Sequence, residues 1–116
     1  MKKIKLFTII IAVLLLGYWS IYNTNLGKES YSRLHNNIGY FYLKDERIEK
    51  AIMEFHKALR NKNYSHIEFV YFNLAKAYIE KEDFPKALEA LGLALKYKPN
   101  FKEAQAKIDW IKSIDK

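Results

Sequence analysis

The chain has 116 residues (13.8 kDa), half of them hydrophobic and 28% charged, with a formal net charge of +7. That leaves room for one small domain and argues against wholesale disorder. Cysteine is absent, which excludes disulfides, thiolate catalysis, thiolate metal sites and a lipid-modified N-terminal cysteine. Three of the positive charges, Lys2, Lys3 and Lys5, stand at the N-terminus, and without them the remainder carries only +4, mixed in sign. No basic stripe or RNA- or DNA-binding motif is present, so a nucleic-acid partner is not expected.

After the lysines, Leu6 to Leu16 is apolar except for Thr8, and Ile4 to Tyr22 holds 19 residues of which only Lys5 is charged. As a helix this stretch spans about 28 Å, close to the hydrocarbon thickness of a bilayer. Two readings compete: a retained anchor or a cleaved secretory signal. Peptidase sites need small residues at two positions two apart, yet Ser20 is preceded by Tyr18 and Gly17 by Leu15. Tyr18, Trp19 and Tyr22 instead form a cluster of the kind that sits at a membrane interface, which favours an anchor over residues 1–25 that contacts the bilayer through residues 4–22. The lysines place the N-terminus on the cytoplasmic side and the rest of this single-pass chain on the extracytoplasmic side, against the opposing pull of Lys28 and Arg33. From Asn23 to Tyr31 the chain turns polar, with Gly27 as the expected break and residues 26–31 as a linker. Nine residues reach no further than about 30 Å, so the remainder of the chain lies close to the headgroups.

That remainder contains one pattern written twice. Leu34 to Ala58 and Val70 to Ala94 align without a gap, pairing Asn37 with Asn73, Gly39 with Ala75, Tyr42 with Tyr78, Ala51 with Ala87, Phe55 with Leu91 and Ala58 with Ala94, always 36 positions apart. Self-similarity at such a period marks a stacked-repeat architecture. The small residues let paired helices approach closely while Tyr42, Phe55, Tyr78, Leu91 and Leu95 fill the space around them. The spacing predicts helices over 31–44, 48–60, 67–81 and 84–97. Asp83 before Phe84-Pro85 is a good helix start, and Lys98-Pro99 a good stop. Asn100 with Glu103 caps a last helix over 101–116, whose apolar side is Ala104, Ile108, Trp110 and Ile111; Asp115 is among the residues expected to face water.

Gly39, Tyr42, Ala51, Phe55 and Ala58, then Leu74, Ala75, Tyr78, Ala87, Leu91, Ala94 and Pro99, stand at the spacing of the tetratricopeptide repeat, and the chain resembles that family over two repeats, residues 32–65 and 68–101. It departs from the pattern at His35, where the family prefers a large aromatic, at Asn63, where it has proline, and at Arg47, where it often has an acidic cap. The resemblance implies an all-α fold, a two-repeat α-solenoid behind the transmembrane helix, closed by a C-terminal capping helix. It also implies a groove lined by the first helix of each hairpin: Arg33, Asn36, Tyr40, Leu43 and Lys44 from one copy, Phe69, Phe72, Lys76, Ile79 and Glu80 from the other. Their composition favours an apolar helix or strand of another protein.

No catalytic constellation stands out. His35, His56 and His66 share no metal-ligand spacing, and Glu80, Glu82 and Asp83 read as a solvated turn with a helix cap. No enzyme activity, cofactor or metal is expected. The function expected is that of a membrane-anchored interaction module, an accessory subunit or assembly factor bound to subunits of a membrane complex, with self-association as a further possibility; the alternative is an exported soluble adaptor with its signal removed.

Overall fold

The computed structural model describes residues 2–114, and among them the chain forms six α-helices and no strand. Expectations that fall on Met1, Asp115 and Lys116, or on the side chains of Lys2 and Ile4, lie outside the described residues. Helix α1 (Lys2–Asn23) takes the whole apolar stretch without a break. Its segment Lys5–Asn23, 19 residues with mean hydropathy 1.8, has none of its length buried in the protein, so it is not the core helix of the domain. The molecule is accordingly long, 78 × 29 × 18 Å with a radius of gyration of 19.7 Å, against about 13 Å for a compact chain of this size.

The segment expected as a linker is helical. Helix α2 runs from Asn25 to Lys44, and the break falls at Thr24, whose extended backbone and hydroxyl cap the new helix by accepting from the Gly27 N–H at 3.4 Å. Gly27 is not the break but the residue that permits it: a Cβ there would lie 2.6 Å from the Ile21 carbonyl oxygen and 2.7 Å from that of Tyr22. The first turns of α2 are also held from outside, because the Glu29 carboxylate accepts from the Ser65 N–H and from its hydroxyl, both at 2.9 Å. Polar composition alone does not tell a solvated loop from a solvated helix, and these two bonds come from a residue 36 positions away.

Helices α2 and α3 (Ile48–Ala58) form one hairpin, α4 (Ile67–Glu80) and α5 (Phe84–Tyr97) the next, and α6 (Lys102–Ile114) closes the stack against α5. Helix α3 stops two residues short of the expected Arg60, with Leu59 as its C-cap. Asp83 caps α5 by accepting from the Lys86 N–H at 3.3 Å, whereas Arg47 at the same place in the first hairpin makes no side-chain cap. Both hairpins reverse in the same way. Glu46 and Glu82 each take φ of 58°, with Arg47 N–H bonded to the Tyr42 carbonyl and Asp83 N–H to the Tyr78 carbonyl at 2.9 Å, the Schellman ending that glycine usually supplies.

Ala51, Ala58, Ala75, Ala87 and Ala94 are fully buried, as are Phe55 and Leu91, so the small residues do let the helices meet. Tyr42, Tyr78 and Leu95 pack half-buried against this core. Trp110 does not join it: Ala104 and Ile111 are buried and Ile108 half-buried, while Trp110 is 49% exposed. The stripe Ala104–Ile108–Ile111 follows helical spacing, and the residue one before Ile111 is turned about 100° away from it. One wall of the stack stays bare. Val70 and Ala77 of α4 are 0% exposed beneath α3, but their counterparts Leu34 and Phe41 on α2 are 55% and 68% exposed, because no hairpin precedes the first.

This packing gives two expected outcomes. A Cβ at Gly39 would meet the Phe55 ring at 2.6 Å, so Gly39→Ala should lower stability by about 1–3 kcal/mol in denaturant titration. Glu82→Gly relieves a left-handed residue and should raise the thermal midpoint, by about 0.5–1 kcal/mol of stability; an unchanged or lower midpoint would contradict the strain assigned to that turn.

Candidate functional site

Helices α2, α4 and α6 present their side chains on one side of the stack. Asn73 donates to the Asn36 amide oxygen at 3.1 Å and so ties α4 to α2, a bond between positions that are not equivalent in the two copies. Beside it Lys76 lies over two rings, 5.6 Å from the centroid of Tyr40 and 6.0 Å from that of Phe72, and Lys44 lies 5.1 Å from Tyr40 on the other side. Phe72 and Phe69 both pack on Phe101, at 4.9 and 5.3 Å between centroids. Lys98 covers Phe69 and Phe101, and Lys107 of α6 reaches the Phe72 ring at 5.9 Å. An open groove of about 540 Å³ separates α4 from α6, lined by Phe72, Ile79, Glu103, Ala106, Lys107 and Trp110.

Of the ten residues expected on this face, Asn36, Tyr40, Lys44, Phe69, Phe72, Lys76 and Ile79 fall on it or border it. Leu43 is half-buried against the core one helical turn from Gly39, as its counterpart Ile79 is on α4, but unlike Ile79 it does not line the groove. Arg33 is exposed and within electrostatic reach of Tyr64, away from the rings, and Glu80 is exposed at the end of α4. Lys98, Lys107 and Trp110 belong to the face, with Phe101 buried beneath it, although sequence reasoning did not place them there. The signal was available, since continuing the register of residues 68–101 into α6 sets Glu103, Ala106 and Trp110 where Phe69, Phe72 and Lys76 stand.

The face is therefore aromatic and cationic at once. Cations over ring faces are only partly desolvated, so each pairing contributes about 0.5–1 kcal/mol and leaves the ammonium free to meet an acidic partner. The expected interface aromatics behave differently from the groove: Tyr18, Trp19 and Tyr22 of α1 are all exposed.

The histidines serve packing. His35 fills the place of the missing aromatic by lying on the Tyr31 ring, 4.2 Å between centroids, and pairing with the Glu54 carboxylate of α3. Lys57 donates to the same carboxylate at 2.9 Å. Burial pushes the Glu54 carboxyl up, but the hydrogen bonds to His35 and Lys57 outweigh it and hold the group below the usual carboxylate range. His56 lies 3.3 Å from the Tyr78 hydroxyl, and its pKa is lowered by burial and by the charges of Lys62 and Lys86. His66 packs edge-on to Tyr64. Among the described residues no group of three or more His, Asp or Glu side chains converges on a metal-sized site.

Residues 68–101 match a family model described as tetratricopeptide repeat, and residues 32–63 match a second model of the same description. No curated protein and no solved structure matches the chain.

The Glu54 side chain is 12% exposed and bonded on both oxygens, so Glu54→Gln should cost about 1 kcal/mol at neutral pH. Because the folded pKa is depressed, this stability is present above the ordinary carboxyl range and is lost as pH falls through the folded value. Urea titrations of the two proteins should therefore differ at neutral pH and draw together as the pH falls below the ordinary carboxyl range, and a gap that does not narrow on acidification would refute the assignment.

Proposed function

The chain belongs to the tetratricopeptide repeat family and carries a protein-interaction module, and from that premise we propose that it is a membrane-anchored docking subunit whose α2–α4–α6 face takes an apolar segment with acidic side chains from another subunit of a membrane complex. The observation that carries this reading is Lys76 set between the Tyr40 and Phe72 rings beside an open groove. Apolar side chains of a partner fit the groove along Phe72, Ile79 and Trp110, while Lys44, Lys76 and Lys107 meet its carboxylates. The module is non-catalytic in this reading and acts as an accessory or assembly factor.

The anchored reading rests on α1, whose exposed apolar length matches a bilayer and whose C-terminal end carries Tyr18, Trp19 and Tyr22. With the N-terminal lysines cytoplasmic, the repeats lie on the extracytoplasmic side. Held beside its partner in one membrane, the module gains effective concentration and tolerates a weak contact. The competing reading, an exported soluble adaptor, differs in one measurable quantity: the intact mass of the mature protein, which drops by the first twenty or so residues if a signal is removed.

Photo-crosslinking in intact membranes tests the docking face. A crosslinker at position 110 or 76 should give a discrete heteromeric adduct, and one at Met53, exposed on α3, should not. Lys107→Glu should reduce the yield from position 110 at least fivefold by repelling the partner's carboxylates. Equal labelling from Met53, or no adduct from the groove, would move the interface elsewhere.

A further inference from the structure

The junction of α1 and α2 holds a second feature that the docking face leaves unused. Between the Thr24 bend and the loop joining the two hairpins lies a crevice of about 410 Å³, lined by Lys28, Arg60 and Lys62 together with Tyr22 and Tyr31. No carboxylate lines it. Glu29, next to Lys28, already has both oxygens bonded to Ser65. The ion pairs among the described residues are made by other lysines and by His35, so none of the three cations has a carboxylate partner. Arg60 donates to the Tyr31 hydroxyl on the crevice wall at 3.3 Å, and Lys62, on the rim shared with the neighbouring hollow, donates to that of Tyr71 at 3.5 Å; neither bond neutralises its cation. With three cations and no carboxylate among its lining residues, the hollow is net positive and favours an anion.

The height of the crevice on the molecule narrows the choice of anion. Tyr22, on its rim, is the next-to-last residue of the apolar segment Lys5–Asn23. If α1 spans a bilayer, the rim leaves the hydrocarbon there and the three cations stand at the depth of the lipid phosphates.

We propose that this crevice binds the phosphate of an anionic phospholipid headgroup, an inference that rests on the anchored reading above. Arg60 offers a planar fork to two phosphate oxygens, Lys28 and Lys62 add point charges, and Tyr22 lies along the acyl boundary. The crevice is built by rigid parts: Gly27 brings the two helices together and Glu29 fastens α2 to the interhelical loop. A lipid held there fixes the tilt of the repeats against the membrane, and with it the direction in which the docking face looks.

The test uses the full chain reconstituted into nanodiscs of phosphatidylglycerol and phosphatidylcholine in equal amounts, with co-released lipid counted by native mass spectrometry. Wild type should retain phosphatidylglycerol over phosphatidylcholine, with retention falling about fivefold for each cation removed in Lys28→Gln, Arg60→Gln and Lys62→Gln. A triple variant far from the crevice, Lys96→Gln with Lys102→Gln and Lys112→Gln, makes the same charge change at other sites and should retain lipid as wild type does. Far-UV circular dichroism confirms that both triple variants fold. No lipid preference in wild type, equal loss in both triple variants, or displacement of the lipid by about 10 mM inorganic phosphate would each overturn the proposal. A chain that fails to enter the nanodisc overturns the anchored reading as well, whereas a chain that enters without lipid preference overturns the headgroup site alone.

Discussion

The fold depends on how closely α2 can approach α3, and the contact that sets this distance is Gly39 against Phe55. The buried Phe55 ring occupies the volume a side chain at 39 would need. In the second hairpin the equivalent positions hold buried Ala75 and Leu91, a slightly larger small residue and a slightly smaller large one, which keeps the summed volume near constant. Ala51, Ala58, Ala87 and Ala94 extend the close approach along each pair. Everything the molecule presents outward takes its position from this spacing.

Close packing within hairpins leaves little to cover the outside of a stack this short. Helix α3 buries Val70 and Ala77 of α4, but nothing does so for Leu34 and Phe41 of α2. At the other end α6 covers α5 with Ala104 and Ile111 and leaves Trp110 to the groove. Repeat arrays ordinarily use terminal units with a polar outer wall; here one end wall is apolar and the side face carries rings under lysines. Those ammonium groups lie over the rings without burying them, so the face stays both aromatic and charged.

Three carboxylates are bonded within the chain: Glu54 by His35 and Lys57, Glu29 by Ser65, Asp83 by the start of α5. Among the lysines and arginines, one group lies over the aromatic face and another lines the crevice below Thr24. A polar contact satisfied internally has no interaction energy to offer a ligand, whereas a cation held by a ring or a phenol hydroxyl still does.

Much of the architecture was readable in residue order. The recurrence of Gly39, Ala51, Phe55 and Ala58 as Ala75, Ala87, Leu91 and Ala94 set the hairpins, since small and large side chains at helical spacing admit one mode of pairing. Asp83-Phe84-Pro85 located the start of α5 to the residue, because capping is a local interaction. Helix spacing likewise told which side of α2 or α4 faces outward, but not what lies across from it. That Leu43 is half-buried against the core, that Lys107 and Trp110 line the groove, that residues 26–31 are helical and that Lys28, Arg60 and Lys62 line one crevice were decided only when distant segments were brought into contact. Periodicity is a property of one element and its backbone, while burial, crevices and charge clusters belong to pairs of elements, and their energies exist only after the chain has closed on itself.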